Sequence, residues 1–267
     1  MLFNRQSLLV GISLLSQALA APLLESRATS DPSAFSDLQR AAKLSEAAYC
    51  SATKTAVDVT ITKTIYDALT DTNGFVGYST ENKKISVVMK GSTTIIDILN
   101  DVDTGLVVPT LSGVTFPSGV KIMKGVYTPW SAVHDTIIAE VESLIAQYPD
   151  YTLEATGHSL GGALTYIGHV ALAQNFPGKE LNSTALAAFP IGNQAWATFA
   201  SSQSGTMNRG NNVADGVPEY YSSGTEATCV KCVGERDLAC SAGNGMYGPT
   251  IGHFSSFGVA EGLLGCI

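Results

Sequence analysis

A serine stands between glycines where the sequence changes from a strand pattern to a helix pattern. Residues 151–156 alternate apolar and polar side chains, residues 157–161 read GHSLG, and apolar residues with helical spacing follow up to residue 174. A strand that passes into a helix across one residue forces that residue into a strained conformation and presents its side chain at the head of the sheet. The pattern predicts that Ser159 is a nucleophile, with Gly157 and Gly161 leaving room for strand and helix to approach.

The surroundings of Ser159 favour a reaction that passes through a tetrahedral oxyanion. A helix that begins just after the serine directs its free N–H groups at an anion, so we expect the Leu160 N–H to be one donor. A second donor is expected in residues 90–94, KGSTT, which follow a strand-like run. Ser92 offers both a backbone N–H and a side-chain O–H there. The alternative is that Ser92, Thr93 or Thr94 only caps a helix.

Serine needs a base to take its proton, and the sequence has four histidines. His253 lies in a Gly/Pro-rich loop, GPTIGHF, of the kind that holds catalytic groups on a rigid sheet. The other three have structural interpretations, because each lies in a predicted helix or is expected to point away from the nucleophile: His134, His158 and His169. We therefore expect His253 to be the base, with an ordinary surface histidine as the alternative.

The acid that orients the base should lie between Ser159 and His253, because α/β-hydrolases have the order Ser, Asp or Glu, His along the chain. Two aspartates qualify, Asp215 and Asp237. Asp215 precedes a Gly/Pro turn at a strand-like end, whereas Asp237 lies in a charged loop near cysteines, so loop position favours Asp215. Asp215 would hold the neutral tautomer of His253 and stabilise the imidazolium that forms when Ser159 attacks an ester.

An amphipathic segment follows the Ser92 turn. Residues 95–106 place Asp and Asn on one side and apolar residues on the other, namely Ile95, Ile98, Leu99, Val102 and Leu106. This short helix is flanked by the Ser92 turn and by the Gly/Pro/Ser-rich residues 109–119. It could therefore hinge as a lid that shields the reaction from water and meets an oil surface. The alternative is a surface helix packed on the core.

The rest of the pattern alternates strands and helices. Helices are predicted at residues 35–50, 126–147 and 194–201, and strands at residues 57–65, 72–79, 84–89 and 185–189, with a turn at Asn73-Gly74. Such alternation predicts the α/β class, with a central, mostly parallel sheet and helices on both faces. For the first helix we expect only a packing role.

The N-terminus predicts export. Arg5, the apolar residues 8–15 and a small-x-small site before residue 21 are typical of a signal peptide, which we assign to residues 1–20. The apolar run is too short to span a bilayer, and a buried helix is the alternative. Residues 21–31 are typical of a disordered leader or propeptide, and residues 32–267 are expected to form a single domain. We therefore expect a secreted, extracellular monomer without a transmembrane segment.

Charge and one modification motif add little about function. The formal net charge of −8 argues against nucleic acid or an anionic membrane as a partner, but not against neutral lipid. Asn182 opens an N-S-T sequon and is a glycosylation candidate, as expected for many exported chains.

Five cysteines in an exported chain predict disulfides. Cys50 with Cys266 would tie the start of the domain to its end, and Cys240 with Cys232 or Cys229 would close a small loop. The alternative is a zinc site formed by Cys229, Cys232, Cys240 and His253. This alternative is disfavoured because a second C-x-x-C motif is missing.

Taken together, the motifs resemble the class 3 lipases of the filamentous-fungal type, a family that also contains feruloyl esterases. Residues 157–163, GHSLGGA, match the family's elbow motif closely. Residues 90–92 resemble its R-G-S oxyanion turn, residues 215–218 its D-x-V-P acid motif, and Gly252-His253 its C-terminal histidine motif. Cys50 and Cys266 are placed like the family's end-to-end disulfide. The likeness covers nearly the whole chain after the leader.

The resemblance implies an α/β-hydrolase fold without metal or cofactor, and hydrolysis of carboxylic esters by the residues identified above. Three departures concern substrate preference: Lys90 in place of arginine, residues 189–193 (FPIGN) in place of P-R-V-G-N, and Tyr220-Tyr221 in place of L-P-P. The apolar lid segment resembles the lipases more than the feruloyl esterases. We therefore expect a lipase that cleaves acylglycerols at an oil–water interface. The alternatives are an esterase for smaller or aromatic acyl groups, of the feruloyl or cutin type, and a non-catalytic binder on a hydrolase scaffold.

Overall fold

A seven-stranded sheet forms the centre of the computed structural model, which describes residues 29–30, 34–93, 103–211, 215, 230–231 and 250–266. The strands are β1 (Thr55–Ala56), β2 (Val59–Asp67), β3 (Thr72–Ser79), β4 (Lys84–Met89), β5 (Thr152–His158), β6 (Leu181–Leu186) and β7 (Thr206–Gly210). They lie side by side in chain order. Strands β4 to β7 pair in parallel, and β1 to β4 pair antiparallel.

Helices cover both faces of this sheet. They are α1 (Phe35–Tyr49), α2 (Lys124–Gln147), α3 (Leu160–Asn175) and α4 (Gln194–Ser201). Val87 and Met89 of β4 pack into a large core with residues of α2 and α3, whereas Val88 between them packs with α1. Neighbouring strand residues point to opposite faces, so this division places α1 on one face and α2 and α3 on the other. The predicted α/β class with helices on both faces is confirmed.

The predicted turn at Asn73-Gly74 is wrong, because both residues lie within β3. The chain reverses at residues 68–71, where Asp67 accepts hydrogen bonds from the backbone N–H and the hydroxyl of Thr70. A Cβ atom at Gly74 would lie only 2.3 Å from the carbonyl oxygen of Val88 on the next strand. Glycine is therefore needed at this position for close strand contact rather than for a turn.

The predicted lid helix lies mostly outside the described residues, which do not include Ile95, Ile98, Leu99 and Val102. Its predicted end at Leu106 is wrong. Residues 103–105 are not helical, and Leu106–Val107 pairs antiparallel with Ile122–Met123.

The reason for this boundary lies at the start of α2. The carbonyl oxygens of Asp103 and Gly105 accept hydrogen bonds from the Gly125 and Lys124 N–H groups, at 2.9 and 2.8 Å. The Asp103 side chain accepts from the Gly105 N–H at 2.9 Å. These residues thus satisfy the free N–H groups of the following helix instead of continuing a helix of their own.

A network of charges connects α1 to the middle of the sheet. Arg40 donates to both carboxylate oxygens of Glu154 on β5, at 2.7 and 2.8 Å, and to both oxygens of Asp58, at 2.9 Å each. Glu154 also accepts a hydrogen bond from Ser86 and lies 3.4 Å from Lys84. Burial alone would raise the pKa of Asp58, but hydrogen bonds and the charge of Arg40 hold it well below its usual value. The polar side of β5 therefore faces α1 rather than solvent.

Replacing Arg40 by methionine should lower the free energy of unfolding by about 3 kcal/mol, since it removes the guanidinium that pairs with both Glu154 and Asp58. Urea unfolding at neutral pH measures this change. The matched control is Lys83→Met, whose ion pair with Asp150 is more than 60% exposed on both sides and should contribute less than about 1 kcal/mol.

The same variant should also change the acid dependence of stability. Because the folded-state pKa of Asp58 is lowered, its contribution is present above the unfolded pKa of about 4 and is lost as the pH falls through the folded value. The parent should therefore lose more stability than Arg40→Met between about pH 5 and pH 3. Equal losses in the two proteins would contradict the role of this network.

A single residue, Ser159, separates the end of β5 from the start of α3, and both lie very close to the neighbouring β4. A Cβ atom at Gly157 would lie 2.4 Å from the backbone of Gly161, and one at Gly161 would lie 2.2 Å from the carbonyl oxygen of Met89. The end of a flexible side chain can move away from such a contact, but these backbone atoms cannot. These two glycines are therefore required for the strand-turn-helix junction to close.

The variant Gly161→Ala should be destabilised by about 3 kcal/mol or more, because overpacking against fixed backbone is not relieved by a rotamer change. Gly178→Ala is the control: a Cβ atom there meets nothing within 4 Å, and only its positive φ of 87° should cost about 1–2 kcal/mol. Thermal unfolding of both variants makes the comparison. Equal melting temperatures of the two variants would show that the close approach to the Met89 carbonyl oxygen does not determine the loss of stability.

Candidate active site

Ser159 occupies the single position between β5 and α3. Its backbone has φ 58° and ψ −120°, a conformation that residues with a side chain rarely adopt. Hydrogen bonds hold it on both sides: its N–H donates to the Leu186 carbonyl and its own carbonyl accepts from the Ala163 N–H, each at 2.9 Å. The strained turn predicted from the glycine pattern is therefore present.

His253 connects Ser159 to Asp215. Its Nε2 lies 3.0 Å from Ser159 Oγ and its Nδ1 lies 2.8 Å from Asp215 Oδ2. A carboxylate only accepts hydrogen bonds, so Nδ1 carries the proton and Nε2 is free to accept from the serine hydroxyl. The structure thus brings together the three residues that the sequence motifs singled out. The competing Asp237 lies outside the described residues.

The residues expected to donate to the oxyanion lie on two segments that adjoin the elbow. Leu160 is the first residue of α3. Ser92 follows β4, which pairs in parallel with β5 so that Met89 lies opposite Gly157. A Cβ atom at Gly91 would lie 2.5 Å from the His158 carbonyl oxygen, so the turn carrying Ser92 packs directly on the elbow. The two predicted donors therefore belong to adjacent strand ends at one edge of the sheet.

The three residues are almost completely buried. The exposed fractions are 2% for Ser159 and 0% for both Asp215 and His253. Exclusion of water strengthens the electrostatic interactions among them. Little of the Ser159 side chain is therefore open to solvent.

Two of the remaining histidines have structural roles, as expected. His134 accepts a hydrogen bond from Trp130 Nε1 at 3.2 Å, and its other ring nitrogen lies 2.9 Å from the Ser112 carbonyl oxygen. His169 contacts the Ser183 hydroxyl at 3.0 Å, and burial lowers its pKa to about 4.

His158 was expected to point away from the nucleophile without a role in the site. Its ring lies between Tyr49 and the backbone of His253, in contact with both. The only sequence signal that His158 belongs to the site is its position next to Ser159. No sequence signal marks Tyr49 as a residue of the site.

Cys50 and Cys266 form a disulfide that closes a loop of 216 residues. The other cysteines considered for bridges or zinc, Cys229, Cys232 and Cys240, lie outside the described residues. Within the described part of the chain, one group of possible metal ligands combines Glu46 with these two bonded cysteines, whose sulfurs are not available as thiolates. The ring nitrogens of His253 are engaged by Ser159 and Asp215.

Asn182 lies on β6, half-buried, and its side-chain oxygen accepts a hydrogen bond from Asn208 at 3.0 Å. Glycosylation at this residue stays a prediction. Among the described helices, none is long and apolar enough to cross a membrane.

Comparison with known proteins identifies the family. The family model described as lipase (class 3) matches residues 86–224. A secreted alkaline triacylglycerol lipase of Penicillium cyclopium is 68% identical over 281 aligned positions, which cover 100% of this chain and 99% of that protein.

Solved structures agree with the sequence comparison. A triacylglycerol lipase from Penicillium expansum has a TM-score of 0.87 and 66% identity, over 89% of this chain and 98% of that chain. A more distant triacylglycerol lipase, whose catalytic centre is a serine protease triad, has a TM-score of 0.78 and 25% identity over 89% and 98% of the two chains. The α/β-hydrolase fold and the secreted location expected from the sequence are thereby confirmed. The chain belongs to the class 3 lipase family.

Proposed function

We propose that this protein is a secreted lipase that cleaves acylglycerols through an acyl-enzyme on Ser159. The observation that carries the proposal is the continuous hydrogen-bonded chain from Ser159 through His253 to Asp215 at a strained elbow. The 68% identity to a secreted alkaline triacylglycerol lipase supports the substrate class.

Acylation begins with proton transfer to His253. Nε2 of His253 takes the hydroxyl proton of Ser159 while Oγ attacks the ester carbonyl carbon. Asp215, bonded to the Nδ1–H, stabilises the imidazolium without taking the proton itself. The Leu160 N–H and Ser92 donate to the oxyanion, whose negative charge also interacts favourably with the N-terminal end of α3.

The intermediate then collapses and the enzyme is regenerated. His253 gives its proton to the leaving alcohol oxygen as the carbon–oxygen bond breaks, which leaves an ester on Ser159. A water molecule attacks this ester as the same imidazole takes its proton. When the bond to Ser159 Oγ breaks, His253 returns that proton to Oγ and the fatty acid is released. No metal or cofactor takes part in these steps.

Burial of the nucleophile supports the choice of an interfacial substrate. Because Ser159 is 2% exposed, an opening movement would admit the substrate, and an apolar lid that includes Ile95, Ile98, Leu99 and Val102 would be stabilised in the open state by contact with lipid. In the same proposal, residues 1–20 are a signal peptide, residues 21–31 a leader, and the enzyme acts as a single-domain monomer.

The triad is tested by removing each side chain. Ser159→Ala and His253→Ala should each lower ester hydrolysis by at least about a thousandfold, and Asp215→Asn by at least about a hundredfold, because the residues act as a unit. Rates on p-nitrophenyl butyrate measure this loss. Ser143→Ala, an exposed serine on α2, is the matched control and should keep full activity. Retained hydrolysis in Ser159→Ala would overturn the proposed nucleophile.

The substrate class is tested by comparing three esters: emulsified long-chain triglyceride, dissolved p-nitrophenyl butyrate and methyl ferulate. A lipase should be most active on the emulsion, and its rate should rise sharply when triglyceride exceeds its solubility, since the surface favours opening. Activity confined to dissolved ferulate would instead identify an esterase for aromatic acyl groups. Absence of activity on all three, with no labelling of Ser159 by a phosphonate, would indicate a non-catalytic binder.

A further inference from the structure

Two buried side chains contact the proposed active site but take no part in the chemical steps above. Tyr49 is the last residue of α1 and His158 is the last residue of β5, with exposed fractions of 2% and 0%. Tyr49 Oη lies 3.0 Å from His158 Nδ1, and His158 Nε2 lies 2.8 Å from the backbone carbonyl oxygen of His253. One imidazole thus bridges α1 and the loop that carries the proposed base.

The direction of these hydrogen bonds follows from their partners. A carbonyl oxygen only accepts hydrogen bonds, so His158 Nε2 carries the proton and donates a hydrogen bond to the His253 carbonyl oxygen. Nδ1 is then the acceptor for the Tyr49 hydroxyl. Burial, and then the charge of His253, lowers the pKa of His158 to about 3, so the ring stays neutral.

The Tyr49 hydroxyl also packs against the turn that precedes Ser92. A Cβ atom at Gly91 would lie 2.0 Å from Tyr49 Oη, so only glycine allows this contact. Burial, followed by the charges of Glu261 and Glu46, raises the pKa of Tyr49 well above its usual value, while a hydrogen bond from the Gly91 backbone opposes this rise. The phenol therefore keeps its proton and can donate to His158.

The geometry points to Tyr49 and His158 as positioning residues that fix the backbone of His253 relative to Ser159 and to the Ser92 turn. His158 is peptide-bonded to Ser159, so its ring joins nucleophile and base through a single side chain. Its ring centroid lies 4.8 Å from that of His253. A neutral ring at this distance lets His253 become an imidazolium without repulsion from a like charge. This inference rests on the proposed function, because it assigns the roles of Ser159 and His253.

The test uses substitutions that differ in reach. The side-chain nitrogen of glutamine extends about as far as histidine Nε2 and can donate to the His253 carbonyl, whereas that of asparagine is too short. In His158→Asn, kcat on dissolved p-nitrophenyl butyrate should fall by about a hundredfold, since small misplacements of catalytic groups have effects of this size. His158→Gln should recover at least about tenfold of that loss, and KM should change by less than about twofold in both.

Tyr49→Phe removes one oxygen atom and should lower kcat by about tenfold with little change in KM. His169→Asn is the matched control, because His169 is also a buried histidine but contacts Ser183 instead of the site. Its kcat should stay within about twofold of the parent.

All rates are expressed per active site titrated with a serine-directed phosphonate, so a smaller folded fraction cannot imitate a loss of kcat. An unchanged kcat per site in His158→Asn and Tyr49→Phe, or no advantage of glutamine over asparagine, would overturn the positioning role. If His158→Asn does not fold, Tyr49→Phe decides alone. Full activity of Ser159→Ala would overturn the proposed function itself, whereas an inactive Ser159→Ala with an unaffected Tyr49→Phe rejects only this inference.

Discussion

The close approach of β4, β5 and α3 around Ser159 is the constraint on which the rest of the site depends. A serine at φ 58° and ψ −120° is stable only where its surroundings leave no other conformation, and backbone contacts at Gly157 and Gly161 provide such surroundings. The strain presents Oγ at the end of the parallel strands, beside the first N–H groups of α3. The Ser92 turn reaches the same place because β4 is the parallel neighbour of β5. Strand order therefore determines which loops can take part in the chemistry.

Much of this arrangement could be predicted from the sequence because it depends on local rules. The elbow needs glycines at fixed spacing from Ser159, and the order Ser, Asp, His restricts the partners to very few residues. Helix α4 was predicted with its observed bounds, Gln194–Ser201. The pairing of Cys50 with Cys266 followed from their positions near the ends of the domain and from the family resemblance.

Contacts between distant residues could not be predicted in this way. Tyr49 and His158 are 109 positions apart, and Arg40 and Glu154 are 114 apart, so neither pairing leaves a local pattern. Gly74 carried a turn signal but is required by the approach of Val88 on another strand. The prediction that the helix ends at Leu106 is wrong for a similar reason. Asp103 and Gly105 satisfy the start of α2, and no pattern within residues 95–106 contains that information.

Helix α1 has a larger role than the packing expected from its sequence. Arg40 neutralises Glu154 in the sheet, Tyr49 contacts His158 at the elbow, and Cys50 is bonded to Cys266. Near this bond, burial raises the pKa of Glu46 to about 7, and burial followed by the charge of Glu46 raises that of Glu261.

Carboxyls with raised folded-state pKa values favour the fold below their unfolded values and oppose it as the pH rises. Their ionisation therefore works against the contact between α1 and the C-terminal segment that carries His253. The Cys50–Cys266 disulfide opposes separation of α1 from the C-terminal segment, and ionisation of the two carboxyls does not change it. The Cys50–Cys266 bond therefore still joins α1 to the C-terminal segment, which carries His253, when Glu46 and Glu261 are charged.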